Sequence, residues 1–340
     1  MNLQTQHKSN GIVATPRFIS IVVPVYQNET NLEETILTFI HLRKKLPNYD
    51  LELVFVDDGS TDRSYQILED FRKLHPETIR IVKLVRNFGQ IPALQAGLKV
   101  ARGDCVAMIS ADLQDPPELI IDMVAHWERG IKLVIAERKG RKDSFLRDFI
   151  STLYWGLVRK LAIRNYPSGG FDYCLVDREI INVVNQIDEK NTHIFVLIFS
   201  LGYSYHTLTY QRKRRTKGKS QWTLSKKINL SIDILVNFSY LPLRIISYLG
   251  LIVSLLSFVY IIYVFFFWAI KGNPYQGWTT MTMLIGFLGG LILLTLGIIG
   301  EYLWRILDAV RRRPNFLIEK ISESSSHGTK TILSDQRDRQ

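Results

Sequence analysis

Two long apolar segments constrain this chain more than any other feature of its sequence. Residues 245–270 and 279–300 carry no charged side chain. Each exceeds the roughly 20 residues that cross about 30 Å of hydrocarbon. Only KGNPYQGW separates them, so the sequence predicts a two-helix transmembrane hairpin. Buried core helices are the alternative, and two uninterrupted uncharged runs of this length weigh against it. Trp268, Trp278 and Trp304 fall at the ends of the spans, where aromatic belts form. Lys226, Lys227 and Arg244 precede the first span, Arg305 and the Arg311–Arg313 run follow the second, and the joining loop carries only Lys271. The positive-inside rule then puts both termini in the cytoplasm. The expected location is the inner (plasma) membrane, multi-pass, with the remainder of the chain cytoplasmic.

The formal net charge is +11, an excess that favours an anionic partner. Much of it lies in Arg212, Lys213, Arg214, Arg215, Lys217, Lys219, Lys226 and Lys227, just ahead of the apolar region. Beside a membrane span, lipid headgroups explain such a cluster better than nucleic acid does, so membrane lipids are an expected partner and nucleic acid is not. Charge that merely sets topology explains it equally well. Cys105 and Cys174 are the only cysteines, which leaves no disulfide framework and no cysteine zinc site to read. The start, MNLQTQHKSNG, lacks the apolar core of a signal peptide.

Ahead of the spans, apolar strand patterns at 19–25, 51–56, 79–84, 105–110 and 133–136 alternate with helical patterns at 32–45, 64–74, 91–101 and 117–129. This alternation predicts an α/β domain with a mostly parallel sheet and flanking helices. Such sheets place ligand sites beyond the carboxyl ends of their strands. Two further segments have amphipathic spacing. Phe145, Phe149, Leu153, Leu157 and Leu161 recur every four positions, and Leu224, Ile228, Ile232 and Leu235 do nearly the same. Both patterns suit interfacial helices, and both also suit packing against the soluble domain. The expected division is a disordered start at 1–16, the α/β domain at 17–222 and a juxtamembrane amphipathic helix at 223–244. The two spans follow within 245–305, and a cytoplasmic basic tail, largely disordered, occupies 306–340.

Four short segments follow the first four strands: VVPVYQNE, VDDGSTD, NFGQ and SADLQDPP. Singly each is modest, since an acidic residue after a strand is often a helix cap, and Asp62 suits that role ahead of Ser64. Together they put four polar loops on one edge of a parallel sheet.

These segments resemble the family 2 glycosyltransferases of GT-A fold. Within that group the chain is similar to the polyprenyl-phosphate glycosyltransferases, such as dolichyl-phosphate mannose synthases and bactoprenol glucosyltransferases. The resemblance covers about 17–315 and includes GKSQWTLSKK and the hairpin ending in GEYLWRI and RRRP. It implies a hexosyltransferase that inverts configuration as it moves a sugar from a nucleotide diphosphate sugar to a polyprenyl phosphate. The donor is a uridine more than a guanosine nucleotide, UDP-glucose being one candidate, and the cofactor is Mg2+ or Mn2+. A homo-oligomer is left open.

The resemblance also implies roles. Pro24, Val25, Tyr26 and Glu29 resemble the wall that receives base and ribose. Asp57 and Asp58 resemble the acidic pair of the nucleotide site, with Asp57 facing the base. Ser110, Ala111, Asp112 and Gln114 resemble the DxD-like donor motif, with Asp112 and Gln114 as its metal-binding part. Ser110 stands where the family often has Asp. Asp115 either compensates for that or caps the helix after Pro116 and Pro117. Arg138 resembles a phosphate-holding arginine, and with Asp112 and Asp172 it completes the implied catalytic set. Arg147 and Ser151, on one face of a helix, resemble the contacts to the acceptor phosphate; surface solvation is the alternative for Arg147. Asp172, in GGFDYCLVDR, resembles an acceptor-motif residue near the sugar or the attacking phosphate, while Gly169 and Gly170 beside it suit a plain turn equally. His193 stands where some relatives have Arg and is given no role. The rival readings are a polysaccharide synthase, whose Gln-x-x-Arg-Trp signature the chain lacks, and a catalytically silent membrane scaffold of the same fold.

Overall fold

The computed structural model describes residues 17–138, 166–167, 170–187, 193–212, 278–311 and 313–322, together with part of 248–270. The expectations for 1–16, for Gly169, Arg147 and Ser151, for both amphipathic segments and for the tail beyond Ser322 lie outside these residues.

Strands β1 (Arg17–Val25), β2 (Tyr49–Asp57), β3 (Ile79–Leu84), β4 (Cys105–Met108) and β5 (Leu133–Arg138) alternate with helices α1 (Leu32–Lys45), α2 (Ser64–Leu74), α3 (Gln90–Val100) and α4 (Leu119–Glu128). After them come β6 (Cys174–Asp177), α5 (Arg178–Gln186), α6 (Ile194–Ser200) and β7 (Tyr205–Tyr210). The described residues end in a long helix α7 (Trp278–Arg311) and β8 (Ile318–Ser322). All eight strands form one sheet in the order β7-β5-β6-β4-β1-β2-β3-β8.

The central strands are buried on both faces, as parallel strands under two helical layers must be. Along β1, Ile19, Ile21, Val23 and Val25 pack into the core beneath α1, α2 and α4, while Val22 faces the opposite core with α3, α5 and α6. Pro92 sits in the first turn of α3, where a missing N–H costs nothing. Asp177 caps α5 by accepting from the Glu179 N–H at 2.9 Å.

Pairing is parallel for β1 with β2 and β4, for β2 with β3, and for β5 with β7. Strand β6 runs against both β4 and β5, so β5 points the same way as β4. Six carboxyl ends therefore share one edge. Because β6 is reversed, its amino end reaches that edge too and brings Asp172 with it.

Strand β8 was not expected. It lies antiparallel on β3, with Ile321 almost wholly buried and Ser322 Oγ donating to Glu69 at 2.9 Å. The tail after the spans is thus ordered in part: α7 runs to Arg311 and β8 covers an otherwise open sheet edge. Among the described residues, Phe287–Asp308 of α7 is long and apolar enough to cross a membrane. Its described apolar side chains, such as Phe287, Leu293 and Leu296, are exposed. The described residues between 248 and 270 are helical as well.

Candidate active site

The polar loops meet at the carboxyl edge. After β1, Tyr26 donates its N–H to Asn28 at 3.0 Å. Glu29 is exposed and its carboxylate accepts the Arg63 N–H at 3.1 Å, while Asp62 accepts the Ser64 N–H at 3.0 Å from one residue ahead of Arg63, the cap position of α2. Pro24 is half-buried, but Val25 is wholly buried. The Val25 side chain thus belongs to the core, and its carbonyl accepts the Asp58 N–H at 2.9 Å.

The acidic pair divides its work. Asp58 accepts the N–H groups of Phe88 at 2.7 Å and Gly89 at 2.9 Å, so it clamps the loop after β3. Burial pushes its carboxyl up to about 6 in spite of those two bonds. Gly59 follows with φ 68°, and a Cβ there would lie 2.5 Å from the backbone carbon of Arg86. Only glycine tolerates both the conformation and the contact. Asp57 is wholly buried; one carboxylate oxygen accepts the Ser60 N–H at 3.3 Å and the other, Oδ2, is buried without a hydrogen-bond partner. Burial raises its pKa. A buried acceptor left in this state costs free energy unless a ligand or a proton completes it.

The loop after β4 is anchored from α1: the Ala111 carbonyl accepts from Asn31 Nδ2 at 2.9 Å and Thr35 Oγ1 at 2.8 Å. Leu113, between Asp112 and Gln114, has φ 52°, an unusual state for a branched side chain and one often found at functional loops. Ser110 Oγ lies 2.7 Å from Asp112 Oδ1 and 3.2 Å from Asp115 Oδ2. The Gln114 N–H also reaches Asp112 Oδ1, at 3.3 Å. Where the family often has Asp, this chain thus uses a hydroxyl that orients Asp112.

From the far side of the sheet, Arg138 at the end of β5 pairs with Asp172 through Nη2 and donates from Nε to the Tyr210 hydroxyl at 3.2 Å. Tyr210, the last residue of β7, donates to Asp115 at 2.5 Å. Two residues on, Arg212 Nε lies 3.2 Å from Asp115 Oδ1 and its Nη2 lies 3.9 Å from Asp112 Oδ2. Catalytic candidates Asp112, Arg138 and Asp172 are therefore linked through Asp115, Tyr210 and Arg212.

Residues 20–182 match glycosyl transferase family 2, and residues 241–306 match the GtrB C-terminal hairpin. The uncharacterized glycosyltransferase YkcC of Bacillus subtilis is 34% identical over 303 residues, covering 88% of this chain and 93% of that one. The chain belongs to glycosyl transferase family 2. A bactoprenol glucosyl transferase of Shigella phage SfII is 33% identical over 306 residues, covering 89% of this chain and 97% of that one.

As a family 2 glycosyltransferase the protein adds three groups to those its motifs advertise. Asp115 makes contacts to Ser110, Tyr210 and Arg212 rather than a cap on α4, whose first residues take no side-chain cap bond. Arg212 turns back into the site, although the basic run it opens reads as a single membrane-facing cluster. Tyr210 ends a strand, YHTLTY, that the sequence patterns did not reveal. The one available signal was a Tyr two residues ahead of the first Arg in that run.

Whether these residues suit a divalent ion follows from the donor set. Among the described residues, no group of three His, Cys, Asp or Glu side chains could hold one unaided. Mg2+ is commonly bound by one or two carboxylates together with substrate phosphates, and a half-buried Asp112 with Gln114 two residues later fits that mode. Arg212 balances the Asp112 charge in this structure.

Proposed function

We propose that this glycosyltransferase moves a hexose, glucose in the first instance, from a uridine diphosphate sugar to a polyprenyl phosphate at the cytoplasmic face of a membrane. One observation carries the reading. Relatives named bactoprenol glucosyl transferase match nearly their whole length, and the match spans both the α/β domain and the hairpin. The geometry supports it, because carboxylates and guanidiniums meet at one sheet edge while the following chain carries an apolar helix.

In the proposed reaction an anionic oxygen of the lipid phosphate bonds to the anomeric carbon. The bond from that carbon to the β-phosphate oxygen breaks, and its electron pair leaves with the nucleoside diphosphate. In-line attack inverts configuration, so an α-linked donor gives a β-linked lipid phosphosugar. A phosphate monoester has a second pKa of about 6, so the attacking oxygen is already ionised near neutral pH and needs no general base.

Asp112 and Gln114 would hold Mg2+ or Mn2+, which when bound supplies charge neutralisation at the departing diphosphate. Asp57, with its unpartnered buried oxygen, is suited to receive an N–H of the base, and Tyr26 and Pro24 flank it at the end of β1. Asp58 serves the site through the loop it clamps. Arg138 and Arg212 offer planar forks suited to phosphate. Arg147 and Ser151 complete the proposal as contacts to the acceptor phosphate. Both ends of the hairpin, and the catalytic domain, lie on the cytoplasmic side in a multi-pass arrangement.

Calorimetric titration of the full chain with uridine and guanosine diphosphates, each with Mn2+, tests the donor choice. Tighter binding of the uridine nucleotide is expected. Preference for guanosine would keep the transferase and overturn the uridine assignment.

A further inference from the structure

Asp115 has 1% of its surface exposed and sits where three strand ends converge. Ser110 reaches it from the β4 loop at 3.2 Å, the Tyr210 hydroxyl from the end of β7 at 2.5 Å, and the Arg212 guanidinium at 3.2 Å. Arg138 Nε stands 4.0 Å away and is joined to it through the Tyr210 hydroxyl. A phenol has one proton and two lone pairs. Here the proton goes to Asp115 and a lone pair receives Arg138, so both partners fix the orientation of one group. Burial, and then the charge of Asp115, raise the Tyr210 pKa, which keeps that proton on the phenol. Tyr173 packs edge-on against the Tyr210 ring at 6.1 Å and restricts its movement.

The charge count matters as much as the geometry. A carboxylate this deeply buried is costly unless paired and hydrogen-bonded. Two guanidiniums and two hydroxyls surround it. The same carboxylate therefore holds two cations, one that pairs with Asp172 and one that faces Asp112. With Asp115 absent, Arg138 keeps Asp172 as a partner, while among the described residues Arg212 keeps the longer contact to Asp112.

We propose that Asp115 and Tyr210 are a buried pair of positioning residues for glycosyl transfer, which hold the Arg138 and Arg212 guanidiniums at the reacting edge. Neither residue touches the reacting atoms in this account; both act through the two arginines. The proposal rests on the reading that this edge is where donor and acceptor meet.

The test uses the full chain in detergent micelles with polyprenyl phosphate and a nucleotide sugar. Tyr210→Phe keeps the ring and removes only the hydroxyl, and Asp115→Asn keeps the shape, removes the charge and replaces one acceptor oxygen with a donor. Each variant is expected to lower kcat tenfold or more, with donor KM within about threefold and a thermal midpoint close to that of the parent. The double variant should lose little more than either single one, because the two groups work as a unit. Residues that merely supported the fold would lower the midpoint and leave kcat per folded molecule unchanged, and that result overturns the proposal. Asp112→Ala, run alongside, separates the two levels of the argument. Loss of turnover in Asp112→Ala with kcat intact in Tyr210→Phe and Asp115→Asn refutes the positioning role alone. Intact turnover in all three places the chemistry elsewhere and refutes the site with it.

Discussion

At the residue scale, the proposed function gives Asp112 the contact to the donor diphosphate through a divalent ion. Ser110 and the Gln114 N–H both bind its Oδ1, and that arrangement turns Oδ2 toward Arg212. Asp112→Asn keeps the shape and removes the charge. Turnover should fall at least tenfold with an unchanged unfolding midpoint, checked by kinetics at saturating Mn2+. His193 gives a second prediction, on stability. Its residue is half-buried, but its Nδ1 is buried without a hydrogen-bond partner, and burial pushes the imidazole down to about 4 although Asp172 pulls the other way. The unfolded chain takes up that proton near 6.5. The folded state is therefore favoured above about 6.5, and the contribution is lost as pH falls from there toward about 4. His193→Gln should flatten the acid limb of a stability–pH curve across that window, as measured by chemical denaturation. Among the candidate site residues, Asp112 and Gln114 belong to a local motif that the sequence displays. Asp115 reads there only as a stand-in for Ser110 or a helix cap, and its contacts to Tyr210 and Arg212 are not visible. These contacts depend on strand ends 95 residues apart in sequence, as the Tyr210–Asp115 bond shows, and no local pattern reports such a contact.

At the scale of elements, β1 to β5 and α1 to α4 followed from apolar runs alternating with helical periods, and for α1 and α2 the expected bounds match those observed. The elements that escaped are short or polar. Strand β6 is CLVD, with four residues, and β7 and β8 carry polar side chains because they lie at or near the rims of the sheet. Strand β8 also pairs with β3 across more than 230 positions of sequence, so only the fold makes it a strand. Its consequence is mechanical. The Val85 N–H donates to the Leu317 carbonyl at 3.1 Å, next to the loop that Asp58 clamps, so the segment after α7 braces one wall of the site. Ile321 supplies the apolar contact of that strand and is 7% exposed. Ile321→Ala should cost about 2–4 kcal/mol, read from denaturant midpoints in detergent. A change within 0.5 kcal/mol, roughly what an exposed site gives, would mean that β8 does not hold the sheet edge in solution.

For the whole molecule, β8 has a topological consequence. Residues 312–317 are all that join α7 to a strand of the catalytic sheet. The far end of α7 and the catalytic domain must then lie on the same side of any membrane that α7 crosses. Since the domain also precedes the apolar region, the chain should cross an even number of times, in agreement with the basic residues that flank the spans. A reporter fused after Gln340 should be active only if it works in the cytoplasm. Activity confined to the outside would contradict both the pairing of β8 and the hairpin.

The most direct measurement of the central claim is the mass of the lipid product. Purified full-length protein is incubated with undecaprenyl phosphate, Mn2+ and UDP-glucose, and the extracted lipid is analysed by mass spectrometry and by a β-specific glucosidase. The account predicts undecaprenyl phosphate heavier by a single hexose, with release of uridine diphosphate and a linkage of β configuration. Unaltered lipid alongside consumed donor, or a ladder of several hexoses on one carrier, would contradict it.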